Sequence, residues 1–215
     1  MDKVRIRYSK TDRARYISHL DLATTFQRSL IRAGVKLKYS EGFNPHPYIS
    51  VALPLSVGSE SLCELMDVGV QCGIPDDIND YLPDGLHVLG LHKPLHKFAL
   101  IKWVRVCCNL LYEENIADNV PEILKERFSA KSLIILKKTK SGVSDIDIAK
   151  YICNAQIFQI GRNEIKIDAV ISAQQPTVSN NDIQNIVCFD SIISSSVQIN
   201  VKRIEIFDKD MVLFR

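Results

Sequence analysis

SHLDLATTFQRSLIRAG, residues 18–34, reads as an amphipathic helix with both of its ends marked. Ser18 is a good N-cap, and Asp21 follows three residues later, close to a capping box. Leu22, Phe26, Leu30 and Ala33 recur at helical spacing and give one apolar face. Gly34 is a natural residue just past the C-terminus. Upstream, KVRIRYS (3–9) alternates polar and apolar side chains, the period of a strand. Downstream, YSEGFNPHP (39–47) is rich in Gly, Asn and Pro and reads as a loop. YISVALPL (48–55) and LCELMDVGV (62–70) read as strands. PDDINDYL (75–82) reads as a short helix with Pro75 near its start, and LHVLGLH (86–92) as a strand. The order β-α-β-β-α-β is the ferredoxin-like arrangement.

The second half repeats the plan. Strands are expected at 100–112, 131–139, 164–173 and 197–207, and helices at 118–127 and 179–188, with strand-like pieces over 145–160. The expected fold is α+β: two tandem ferredoxin-like (βαββαβ) units with antiparallel sheets. The first covers 1–93 and carries the SHLD and YSEGFNPHP motifs. The second covers 98–215 and has an extra hairpin. HKPLHK (92–97) is the expected linker.

The 215 residues include 27 Lys or Arg and 25 Asp or Glu, with 46% hydrophobic residues. That balance excludes a disordered chain. No apolar run reaches the ~18 residues needed to span a bilayer, so no membrane partner is expected. MDKVRIRYSK lacks the apolar core of a signal peptide, and a cytoplasmic location is expected. The six cysteines contain no C-x-x-C pair and no metal spacing; they are expected as reduced thiols. His92 and His96 are four apart, but Pro94 between them argues against a helical metal pair. Asp145 and Asp147 alternate along a strand without a third ligand, so neither a metal nor a cofactor is expected.

Charge is unevenly spread. Residues 1–50 carry ten Lys or Arg against four acids, and residues 51–100 carry two against seven. Arg5 and Arg7 share a strand face. Arg28 and Arg32 share a helix face. Such surfaces suit phosphate recognition, with fork geometry from Arg. Ser18, His19 and Asp21 mark a helix start, where free amides favour an anion. If the 39–47 loop closes over that same end, His19 and His46 become neighbours, with Arg15, Ser40 and Gly42 beside them. The expected phosphate- or RNA-binding set is therefore Arg5, Arg7, Arg15, Ser18, His19, Asp21, Arg28, Arg32, Ser40, Gly42 and His46. Each has a plain structural reading beside the functional one: a cap, a backbone hydrogen bond, a turn, a solvated charge.

SHLDL, FQRSLIRAG, KYSEGFNPHP, ALPLSVGSES and CELMD occur in order between Arg15 and Asp67. This linked set resembles the small bacterial radical-SAM-associated domain, a family of uncharacterised function. Its members occur free or fused behind a radical SAM enzyme. The resemblance implies a radical SAM enzyme as partner. The chain lacks three closely spaced cysteines for a cluster of its own. Radical chemistry would then belong to another polypeptide, and this chain would recognise or present the substrate, with RNA for tRNA or rRNA modification as the expected class. Two alternatives stand beside it. One is a metal-independent endoribonuclease with His19 as general base. The other is a docking scaffold that contacts no nucleic acid.

Overall fold

The computed structural model describes residues 3–139, 142–174, 176–188 and 197–215. The chain is a mixed α+β protein with mostly antiparallel strands and few helices. It divides into two compact units. The first runs to Ile101 and takes back Val212–Arg215, and the second spans Lys102–Met211. The expected linker at 92–97 thus lies inside the first unit.

In the first unit the elements are β1 (Lys3–Lys10), α1 (His19–Arg32), β2 (Ile49–Val51), β3 (Glu60–Gly69) and β4 (Leu86–His92). β1 lies between β3 and β4, and β2 pairs with the outer edge of β3, all antiparallel, giving the order β4-β1-β3-β2. The apolar stripe of α1 supplies Leu22, Phe26 and Leu30, which bury against Ile6, Tyr8, Met66 and Val68 of the sheet. The Tyr8 and Phe26 rings meet edge to face at 4.8 Å. Each such side chain contributes about 1.5–3 kcal/mol when fully buried. The opposite face of the same strands carries Lys3, Arg5 and Arg7 from β1 and Asp67 from β3, because side chains alternate along a strand.

Two expected elements are shorter than the sequence pattern suggests. The strand at 48–55 narrows to Ile49–Val51, since the chain leaves the ladder after Ala52 and Pro54 has no N–H to continue it. The helix at 75–82 is a 3-10 helix of two turns, Asp76–Tyr81, without a side-chain cap. Its Asp-Asp-Ile-Asn-Asp-Tyr sequence is weak in helix formers.

In the second unit the elements are β5 (Trp103–Tyr112), α2 (Val120–Phe128), β6 (Ile134–Thr139), β7 (Gly142–Asp147), β8 (Ile152–Gln159), β9 (Glu164–Ser172), α3 (Asn180–Val187) and β10 (Val197–Phe207). The pairings run β10-β5-β9-β8, again antiparallel. β6 and β7 form a separate two-stranded hairpin, whose turn residues 140 and 141 lie outside the described residues. Ser179 and Asp182 close a capping box on α3.

The turn into β4 is sterically demanding. Gly85 has φ +84°, and a Cβ there would lie 2.4 Å from the Thr11 carbonyl oxygen and 2.9 Å from Ala14 Cβ. Gly85→Ala is expected to lower unfolding stability by about 1–3 kcal/mol, read as a lower urea midpoint with an unchanged m-value.

Candidate nucleic-acid interface

The start of α1 is closed by its own residues. Ser18 Oγ accepts from the Asp21 amide at 3.2 Å and donates to Asp21 Oδ2 at 2.7 Å. Their polar groups satisfy the helix end, as an N-cap does. His19 is half-buried in the first turn, and its Nδ1 is buried without a hydrogen-bond partner. Arg15 packs its guanidinium over the Tyr16 ring at 4.8 Å, donates to the Tyr16 hydroxyl and lies 3.8 Å from Glu60.

The 39–47 segment does not close over that end. The Arg15 carbonyl accepts from Gly58, and the Asp12 amide donates to Glu60, so the start of α1 sits at the beginning of β3. Lys38 and Tyr48 bond to Gly69, at the finish of β3. β3 has ten residues, which extend over roughly 30 Å. His19 and His46 therefore occupy opposite ends of the sheet. Among the described residues no hydrogen bond or ion pair joins His19, Arg28 and His46. The shared notch expected from sequence is not formed. The physical reason is the helix: α1 has 14 residues, which carry the chain about 20 Å along the sheet before the loop begins.

What the segment does form is a short hairpin. The Tyr48 amide donates to the Lys38 carbonyl, Tyr39 bridges to Pro47, and the Ser40 amide donates to the His46 carbonyl at 2.8 Å. Ser40 Oγ in turn accepts the His46 amide at 2.9 Å. Ser40 is thus spent on holding the loop, and Gly42 supplies φ +120° at its tip. The fold places Lys38, Ser40, His46 and Tyr48 on one face of the hairpin by alternation. Phe43 at the tip is fully exposed, and Tyr39 and Tyr48 are each about two-fifths exposed. These three aromatics are absent from the set expected from sequence. Their signal was there: a loop tip flanked by Gly42, Asn44 and Pro45 has no core in which to bury a phenyl ring. Gly69 makes room for the hairpin, since a Cβ there would lie 2.9 Å from Tyr48 Cβ.

The arginines separate into three groups. Arg28 is exposed on the second half of α1, at the hairpin end of the sheet. Arg32 is exposed but partly committed, donating to the Tyr81 carbonyl at 2.6 Å and to Ser29. Arg5 is a correction to the expected surface set, because it is 0% exposed. Its guanidinium makes a two-pronged pair with Asp67 at 2.7 and 2.9 Å and donates to the carbonyls of His96 and Arg215. Phe98 and Phe214 stack on it at 4.4 and 5.3 Å. Four of its N–H groups are thus bonded to protein oxygens, and burial keeps it from a surface phosphate. Arg7, on the same face, is half-buried.

Positive charge nevertheless collects around Arg5. The His92 imidazole is held below its ordinary value by partial burial, and then by Arg215, Arg7 and Arg5. Elsewhere, Asp147 Oδ1 accepts the Leu133 and Ala149 amides, which lowers its pKa, and so fixes the hairpin of the second unit. Burial pushes the Cys108 thiol up to about 12, so it stays protonated and inert.

No sequence among curated proteins matches the chain. The family described as "Uncharacterized protein conserved in bacteria (DUF2344)" matches residues 3–181, and the chain belongs to that family. Among solved structures, it is similar to a chain of "Crystal Structure of a Cbf5-Nop10-Gar1 Complex", at 8% identity and TM-score 0.52, over 93% of this chain and 47% of that one. It is likewise similar to a chain of an archaeal box H/ACA sRNP Nop10-Cbf5 complex, at 7% identity and TM-score 0.51 over 93% and 46%. A third is an H/ACA RNP bound to a substrate RNA containing 2'-deoxyuridine, at 7% identity and TM-score 0.52 over 93% and 46%. This chain spans just under half the length of those chains. The likeness is one of fold.

Replacing Arg5 by Ala leaves Asp67 mostly buried without its counter-charge. The expected cost is about 3–5 kcal/mol, measured as a fall in the urea unfolding midpoint. A loss under about 1 kcal/mol, the range of an exposed pair, would show that the pair is effectively solvated.

Proposed function

We propose that this DUF2344 member consists of two tandem ferredoxin-like modules and serves as a non-catalytic, RNA-recognising accessory protein of a radical SAM enzyme. The matching strand orders of the two units, β4-β1-β3-β2 and β10-β5-β9-β8, support the modular reading. The linked motifs between Arg15 and Asp67 support the association with a radical SAM enzyme. In this reading the enzyme carries out tRNA or rRNA modification in the cytoplasm and supplies the radical, while this chain supplies contacts to the RNA.

One observation carries the RNA reading: the Lys38–Tyr48 hairpin holds a fully exposed Phe43 at its tip, with Tyr39 and Tyr48 partly exposed on its two faces. An exposed phenyl ring gains nothing in folding. On an unpaired base it gains about 1–3 kcal/mol by stacking. Arg28, Arg32 and Lys36 are exposed at the same end of the sheet and provide the phosphate contacts. Arg15, Ser18, His19 and Asp21 lie at the other end and take no part in this surface. The endoribonuclease reading is weaker, because His19 has no acid or base partner within hydrogen-bond reach among the described residues.

Filter binding of total cellular RNA at two salt concentrations tests the proposal. Phe43→Ala is expected to weaken binding roughly tenfold. Arg28→Ala with Arg32→Ala is expected to weaken it and flatten its salt dependence. Affinity indifferent to salt and to all three substitutions would rule out the RNA half. A pull-down from the native cell that recovers no radical SAM enzyme would rule out the accessory half.

A further inference from the structure

A concave site of about 520 Å³ opens in the first unit where β1 begins and β3 and β4 finish. Its charged lining is Lys3, Asp67, Lys93, His96 and Lys97. Three lysines therefore line one hollow. None of the three has an ion-pair partner among the described residues. The single acid, Asp67, is already neutralised by the buried Arg5.

The wall is built rather than incidental. Arg5 donates to the His96 carbonyl and to the Arg215 carbonyl, and its sandwich between Phe98 and Phe214 fixes the 93–98 segment against the sheet. The lysine stems at 93 and 97 thus start from a rigid rim. Behind the rim lie Arg7 and Arg215, whose charge is already felt at His92. Asp67 adds a second kind of contact. Each of its oxygens accepts one Arg5 N–H, and its side chain is still 15% exposed. A carboxylate oxygen has lone-pair capacity beyond one bond, here directed at a donor such as a sugar hydroxyl. The volume is in the range of small-ligand sites, roughly 300–1,000 Å³.

We propose that this hollow binds the phosphate monoester of a nucleotide, with Lys3, Lys93 and Lys97 on the phosphate and Asp67 on a ribose hydroxyl. A monoester is favoured over a backbone diester because it brings close to two negative charges to three cations. The same chemistry is offered by a free nucleotide and by a phosphorylated RNA end. The inference stands on the hollow alone and does not rest on the hairpin.

Calorimetric titration of the whole chain with 5′-AMP and with adenosine tests it, together with filter binding of one RNA oligomer bearing a 5′-phosphate or a 5′-hydroxyl. AMP is expected to bind in a salt-dependent manner and adenosine not to bind. Lys93→Ala with Lys97→Ala, both on exposed positions, is expected to weaken AMP binding by roughly tenfold or more. Phe43→Ala is expected to leave AMP binding intact. A preference for the 5′-phosphorylated oligomer assigns the ligand to an RNA end; AMP binding without that preference assigns it to a free nucleotide. Adenosine binding as tightly as AMP, no AMP binding, or a double variant that binds AMP like the wild type would each overturn the assignment. Binding of the 5′-hydroxyl oligomer reports on the hairpin, so the two proposals fail separately.

Discussion

The first unit is organised around a charge that it removes from water. Arg5 lies in the middle of β1, wholly buried, and its guanidinium meets Asp67 across the β1–β3 pairing, two carbonyls from distant segments and two aromatic rings. Burying an ion pair is seldom a net gain against a hydrophobic pair of the same shape. What this pair does provide is connection. It ties the segment after β4 and the returning Val212–Arg215 to the sheet face that α1 leaves uncovered. That face would otherwise present Lys3, Arg5, Arg7 and Asp67 as an ordinary polar surface. Covered and cross-linked, it becomes a shaped wall.

Local signals were legible where one residue's chemistry suffices. The stripe of α1, its Ser18 cap, the alternation of β1 and the hairpin of the second unit are all visible as period and capping. The fate of Arg5 was not. A strand reading Lys-Val-Arg-Ile-Arg-Tyr looks the same whether its polar face meets solvent or another segment, and the covering segments come from residues 91 and 210 positions away in the chain. Long-range burial leaves no periodic trace. The pattern at 75–82 places a short helix, but not its 3-10 winding over Asp76–Tyr81.

The separation of His19 from His46 follows from the direction of the chain. A helix that follows a strand runs back along the sheet. The loop after the helix must then emerge at the end opposite to the helix start. Clustering SHLD with YSEGFNPHP treated closeness in sequence as closeness in space. The motif residues are instead divided between two ends. Ser18 and Asp21 cap a helix at one end, while Ser40 and Gly42 shape a hairpin at the other. Their chemistry is structural at both, and the exposed groups at the hairpin end are the aromatics with Arg28, Arg32 and Lys36.

The same topology explains why a chain of small net charge has a strongly positive end. β1 begins where β3 and β4 finish, since both pair antiparallel to it, and α1 finishes there too. The basic residues of the first fifty fall largely at the start of β1 and around the exit of α1, far apart in sequence. The fold brings Lys3, Arg28, Arg32, Lys36 and Lys38 to one end, and Lys93 and Lys97 join them beyond β4. The other ends of the same elements carry Asp12, Asp21, Glu60 and Asp84 together with Lys10, Arg13 and Arg15, so charge there is nearly balanced. Antiparallel pairing therefore sorts charge along the sheet. Over roughly 30 Å of strand, several Debye lengths at physiological salt, the charges of that other end do not reach the basic one. The positive end acts as an independent field on both sheet faces, with Arg28 and Arg32 on α1 and Lys3 on the face that α1 leaves uncovered.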